Sequence, residues 1–178
     1  MNAIRKFVLV ASLAAVLPVA ASAEATVKET DQAIAAIKKA DPGMKKFFSK
    51  SAGYAVFPNV AKGGLVVGGA GGSGYLYEGG KPVGKTGLSQ VTIGAQIGGE
   101  AYVEVVFFET KEALAAFKKG EWAMAAQVSA VVVKSGASAD AKYKDGVAVF
   151  TMMKGGAMAE ASVGGQKFSY EPLGAKKK

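Results

Sequence analysis

Gly79 to Thr86 reads GGKPVGKT, a full match to the phosphate-cradling pattern G-x-x-x-x-G-K-[ST]. In a nucleotide site the backbone amides of such a loop hold phosphates, the lysine (here Lys85) neutralises them, and the hydroxyl (Thr86) ligates magnesium. The chemistry needs a preceding strand and a helix opening directly after the loop. The strand is present as GYLYE, 74–78, but TGLSQVTIGAQIGG follows, with glycines and strand-like alternation in place of a helix. No apolar strand ending in Asp offers a magnesium partner; VVFFE, ending in Glu109, comes nearest. The residues favour a β-hairpin turn, EGGKPVG, over a phosphate loop. Gly69 to Gly74 also satisfies G-x-G-x-x-G, yet it too runs into a strand, so a dinucleotide site lacks its helix.

Other catalytic sets are sparse. The chain contains no cysteine and no histidine. Thiol chemistry, disulfides and thiolate metal sites are excluded, and so is the usual base near neutral pH. A Ser–Lys pair is conceivable but unmarked. Asp140 and Asp145 share the loop DAKYKD, where two carboxylates among lysines read as a solvated turn rather than a metal site. The expectation is a protein that is not an enzyme and carries no cofactor or metal.

Met1 to Ala23 has a basic start, an apolar run from Phe7 to Leu17, Pro18, and then Ala21-Ser22-Ala23. This is the pattern of a secretory signal cleaved before Glu24, and it is too short for a membrane span. The expected domains are thus 1–23, signal peptide, and 24–178, one domain, with a periplasmic or secreted location. Removing Arg5 and Lys6 leaves 20 basic and 14 acidic residues, a net charge of +6. An exported cationic protein meets anionic headgroups and acidic polymers rather than nucleic acid.

Thr26 to Ala40 carries an apolar stripe of Val27, Ile34 and Ile37, which predicts a helix. Asp41-Pro42 ends it and starts a second, short one through GMKKFFSKS. After Gly53, strand-like runs at 54–57, 64–70, 74–78, 90–97, 102–108, 127–133, 146–153, 157–163 and 167–170 are punctuated by glycine. Val91, Ile93, Ala95 and Ile97 predict one buried face, and 102–108, apolar apart from Glu104, predicts a central strand covered on both sides. Thr110 and Gly120 frame one interior helix, KEALAAFKK. The 24 glycines lie within strands, which predicts tight bending and close backbone approach. The fold class expected is α+β: a glycine-rich, strongly curved antiparallel β-sheet or partial barrel with N-terminal helices and one interior helix.

In MKKFFSKS, lysines flank two phenylalanines. This composition suits an interfacial element, with rings at the acyl boundary and ammonium groups on headgroups, but the short apolar face by itself favours rings packed in a core with the lysines facing water. SAGYAVFPNVAKGGLVVGGAGGSGYLYEGG, from Ser51, and TIGAQIGGEAYVEVVFFETKEALAAF, ending at Phe117, resemble the SYLF domain. The matching pieces are the strand at 53–57, A-G-x-G at 70–74, I-G-A-Q-x-G-G-E at 93–100 and T-x-E-A-x-x-A-F at 110–117. GVAVFTMMKGGAMAEASVGG resembles the closing strands, so the likeness spans about residues 30–170. That family includes bacterial exported proteins and eukaryotic endocytic proteins that bind phosphoinositides and, in yeast, actin. The resemblance implies lipid binding through a basic amphipathic N-terminal region, here Lys45, Lys46, Phe47, Phe48 and Lys50, with Lys62 a weaker addition. Unlike the eukaryotic members, this chain has a signal-like start and no SH3 or FYVE domain, so the expected partner is an anionic phospholipid surface rather than actin. A structural protein binding an envelope protein or polymer is the alternative. A nucleotide-binding enzyme built on GGKPVGKT is the remote one.

Overall fold

The computed structural model describes residues 24–64, 67–93, 100–120, 130–154 and 165–174. The expected signal segment and the strand expected at 157–163 lie outside them.

Helix α1 spans Val27–Ala40. Its start is fixed by a capping box in which Thr26 accepts from the Glu29 amide and the Glu29 carboxylate accepts from the Thr26 amide. Its stripe buries Thr30, Ala33, Ile34 and Ile37. Asp41 then turns the chain through a 3-10 turn, Pro42–Met44, into a short helix α2, Lys45–Lys50. The Asp41 carboxylate accepts from the Gly43 amide at 3.0 Å and from the distant Ser138 amide at 2.7 Å. Burial pushes this carboxyl up, but the N–H donors, Ser138 first, outweigh it and hold the group below its ordinary value. The stability it supplies is present above the unfolded pKa and lost as pH falls through the folded one. Asp41→Ala is expected to destabilise by about 1–3 kcal/mol, because two backbone donors lose their acceptor. Denaturant titration at pH 7 and pH 3 checks this, and the difference from wild type should shrink at the lower pH.

Among the described residues seven strands form one sheet, in the order β5-β6-β4-β1-β2-β3-β7. They are β1 Gly53–Gly64, β2 Val67–Glu78, β3 Lys81–Ile93, β4 Glu100–Phe108, β5 Val131–Val132, β6 Val147–Met153 and β7 Gln166–Pro172. All pairings are antiparallel except β5 with β6, so the sheet is mixed. From Val67 onward the runs expected at 64–70 and 74–78 form one strand, β2, while Gly64 ends β1. Helix α3, Lys111–Lys118, is capped by Thr110, whose hydroxyl accepts from the Ala113 amide.

Both faces of the central strands β1 and β4 are covered. On one, α1 and α2 pack Ile34, Ile37, Met44 and Phe47 onto Tyr54, Val56, Tyr77, Val105, Phe107 and Phe150. Tyr77 ties this layer down: its hydroxyl lies 2.6 Å from Thr30 Oγ1 and donates to Asp31 Oδ1 at 2.9 Å. On the other, the sheet curls so that β7 and α3 meet β1 and β4. Phe57, Phe108, Phe117 and Phe168 fill that concave interior. Central β4 is buried from Tyr102 to Phe108, as its apolar run requires. The fold is α+β with a curved, unclosed sheet.

The curvature has a local cause in β1. Between Val56 and Ala61 the strand carries one more residue than β2 opposite, and a matching shift faces β4. The extra residue is a β-bulge that accommodates Pro58 in mid-strand. Where the bulge leans over β2, Gly74 has no room for a side chain: a Cβ there would lie 1.9 Å from the Val56 carbonyl oxygen. The glycines of G-x-G-x-x-G thus belong to the bent sheet.

The face expected for β3 is corrected. Val91 is 74% exposed, while Leu88 and Gln90 point inward. The β2–β3 turn and a register shift near Val83 set which face is which, and period-2 alternation alone does not reveal that. Among the described residues, α1 lies over β1 and β2, and no helix lies over the outer face of β3 beyond it. Ala95 and Ile97 lie outside the described residues.

Candidate functional site

GGKPVGKT forms a β-hairpin. Gly79 and Gly80 both have positive φ, 55° and 78°, between the paired residues Glu78 and Lys81, as a two-residue I′-type turn requires. Lys85 and Thr86 lie within β3 and open no helix. The Lys85 ammonium pairs with the Glu24 carboxylate, and the Thr86 hydroxyl donates to the Ser169 carbonyl at 2.7 Å. Together with Ser73, Tyr170 and Glu171 they line a cleft of about 340 Å³. Its hydroxyls hold the backbone: Ser73 accepts from the Ala25 amide and Ser169 from the Gly87 amide. The phosphate-loop geometry is absent from this hairpin. Among the described residues no group of three or more acidic side chains could hold a metal ion.

The basic aromatic segment does fold into one element. At about 100° per residue, a helix carrying lysines at 45, 46 and 50 and phenylalanines at 47 and 48 puts the cations on one side and the rings on the other. Lys45, Lys46 and Lys50 are exposed, as is Lys39 at the end of α1. The rings take the core-packed side of the two alternatives that the segment left open. Phe47 is only 4% exposed and sits against Phe150, Phe107 and Tyr143, with centroids 4.9, 5.5 and 5.5 Å away. Phe48 is half-buried against Tyr54 and Phe107. Insertion of Phe47 into lipid would require α2 to leave the sheet. A six-residue helix has one apolar face, and here the sheet occupies it.

Two lysines lie over these rings. Lys38 Nζ stands 4.6 Å from the Phe48 centroid and Lys46 Nζ 5.4 Å from that of Phe47. Such placement sets each ammonium over an aromatic ring, a cation–π contact that adds to the ring's packing. Lys62, expected with this group, lies elsewhere: it is 6% exposed and pairs with Ala70 on the concave side. In its place the fold brings up Lys142 and Lys144, both exposed, because Tyr143 between them packs on Phe47. The sequence signal was an aromatic residue flanked by lysines in a turn that otherwise reads as solvated.

The family model for the "Las17-binding protein actin regulator", Ysc84, matches residues 89–172. This SYLF-type match runs from within β3 to the end of β7. A curated relative from Aeromonas veronii, "Beta cell expansion factor A", is 30% identical over 141 residues, 78% of this chain and 53% of that protein. The chain thus spans about half the length of the curated relative it matches. Among the described residues no helix is long and apolar enough to cross a membrane.

Proposed function

We propose that this chain is a non-catalytic module that docks on anionic phospholipid surfaces through α2 and its surroundings, and that it does so at a bacterial envelope membrane after export. The observation that carries the reading is the one-sided array of Lys45, Lys46 and Lys50 on a helix whose opposite side is anchored in the core. Lys39, Lys142 and Lys144 extend it. An ammonium group near an anionic membrane contributes about 1 kcal/mol, so several held on a rigid platform give weak, salt-sensitive adsorption. With Phe47 enclosed, the attachment is electrostatic and peripheral. The match to the SYLF family, which is associated with lipid or actin-related binding, supports the same reading.

The test is co-sedimentation of residues 24–178 with vesicles of phosphatidylglycerol or of zwitterionic lipid. Pelleting is expected only with the anionic vesicles and is expected to fade at high salt. Replacing Lys45, Lys46 and Lys50 together with glutamine should weaken binding roughly 100-fold, at about 1 kcal/mol for each charge. Equal pelleting of wild type and triple variant would move the site off α2. No pelleting with either lipid would remove the function and direct attention to an envelope protein or polymer.

A further inference from the structure

Among the described residues the sheet is not closed by backbone pairing. Among the described residues β4 and β7 share no ladder, and β1, β2 and β3 lie between them in the sheet order. Side chains from the two strands nevertheless meet across the concave face. Gln166 Nε2 donates to Glu104 Oε2 at 2.9 Å, and both residues are fully buried. Each has a polar partner on its neighbouring strand: Thr151 stands opposite Glu104, and Gln90 opposite Gln166. Beside this contact, Phe168 of β7 packs on Phe57 of β1 and Phe117 of α3, with centroids 5.7 and 5.4 Å away.

We propose that Glu104 and Gln166 form a latch that holds the curled sheet shut while the Glu104 carboxyl is protonated, and that loss of this proton favours an open β4–β7 seam with the aromatic interior behind it exposed.

A neutral carboxyl is what this site accommodates. Gln166 supplies one N–H, whereas a buried carboxylate needs several donors. Glu104 Oε1, Thr151 Oγ1 and Gln166 Oε1 have no hydrogen-bond partner among the described residues. Burial pushes the Glu104 carboxyl from its ordinary 4.5 up to about 8, with the Gln166 hydrogen bond pulling the other way. The neighbouring elements offer little compensating charge. β6 presents Thr151 and Val149, β7 Gln166 and Phe168, β3 Leu88 and Gln90, and α3 Leu114 and Phe117. Lys118 of α3 is paired with Glu78. Among the described residues, the cation found on the concave face is Lys62 of β1, level with Ala70 and beyond Val60, whereas Glu104 is level with Phe57.

The sign follows from linkage. An acid whose folded pKa is raised makes the closed state hold more protons than the open one. The latch is therefore strongest below the ordinary carboxylate pKa and weakens as pH rises toward the folded value. Within that window the open fraction grows by up to about tenfold per pH unit, and above pH 8 it levels off.

Site-resolved amide exchange from pH 5.5 to 9, corrected for the intrinsic rate, tests this together with a ¹³C titration of the Glu104 carboxyl in the wild-type protein. Protection of Gln166–Pro172 is expected to fall through the window while the amides of β1 hold theirs. In Glu104→Gln, protection of β7 should be independent of pH. A carboxyl midpoint in the ordinary range would overturn the proposal. So would an equal loss of protection in β1 and β7, or the same pH dependence in Glu104→Gln. The carboxyl titration and the wild-type exchange profile decide the matter even if the variant fails to fold.

Discussion

Gly74→Ala is expected to cost about 3–5 kcal/mol, at or above the upper end of overpacking, or to prevent folding outright. The added methyl would sit 1.9 Å from the Val56 carbonyl oxygen and within 3.1 Å of the Phe57 Cα. Both obstacles are backbone, so no rotamer change makes room. Relief requires β1 and β2 to separate where Pro58 and the bulge bend the sheet, and that separation also pulls Val56 and Phe57 from opposite cores. The same methyl at Gly71, three residues back on the same strand, would meet the Leu88 carbonyl oxygen at an ordinary 3.6 Å. Gly71→Ala should therefore change stability by less than about 1 kcal/mol. Denaturant unfolding of the pair checks the claim. Similar losses at both positions would mean that glycine serves chain flexibility here and not close approach.

Phe47→Ala carries the second large effect, about 3–5 kcal/mol, as expected when a fully packed aromatic ring is removed. For a domain of this size the melting temperature should drop by roughly 10 °C or more. Phe48→Ala should cost less, because its ring is half-buried. Below its melting temperature, the Phe47 variant should still bind phosphatidylglycerol vesicles, since the lysines remain on the outer side of α2. An unchanged melting temperature with lost binding would return the ring to the membrane. That experiment separates two roles which the segment MKKFFSKS leaves open.

Particular residues explain how much was legible. Helix α1, the stop at Asp41-Pro42 and the Thr110 cap of α3 could be read directly, because capping and amphipathic periodicity depend on neighbours within one turn. The central placement of β4 was equally plain from a run apolar on both faces. Val91 was misassigned because alternation specifies two faces but not which of them meets a core; the hairpin turn and distant β7 decide that. Lys62 looked like a surface cation until pairing with Ala70 placed it on the concave side. Glu104 stood out only as the polar exception in an apolar strand. Its partner Gln166 lies 62 residues away, and only the curl of the sheet joins them.

The sequence by itself determined the element types, the resemblance to the SYLF family and the lack of cysteine and histidine, since these reside in local pattern and composition. It also contained enough to set aside the phosphate loop, because the residues after Lys85 are strand formers. Tertiary structure alone decided which aromatic rings are enclosed, which lysines remain on the surface, and that a buried carboxyl spans the seam of the sheet. Each of these depends on the register and curvature of strands far apart in the chain, where a one-residue shift exchanges inside for outside.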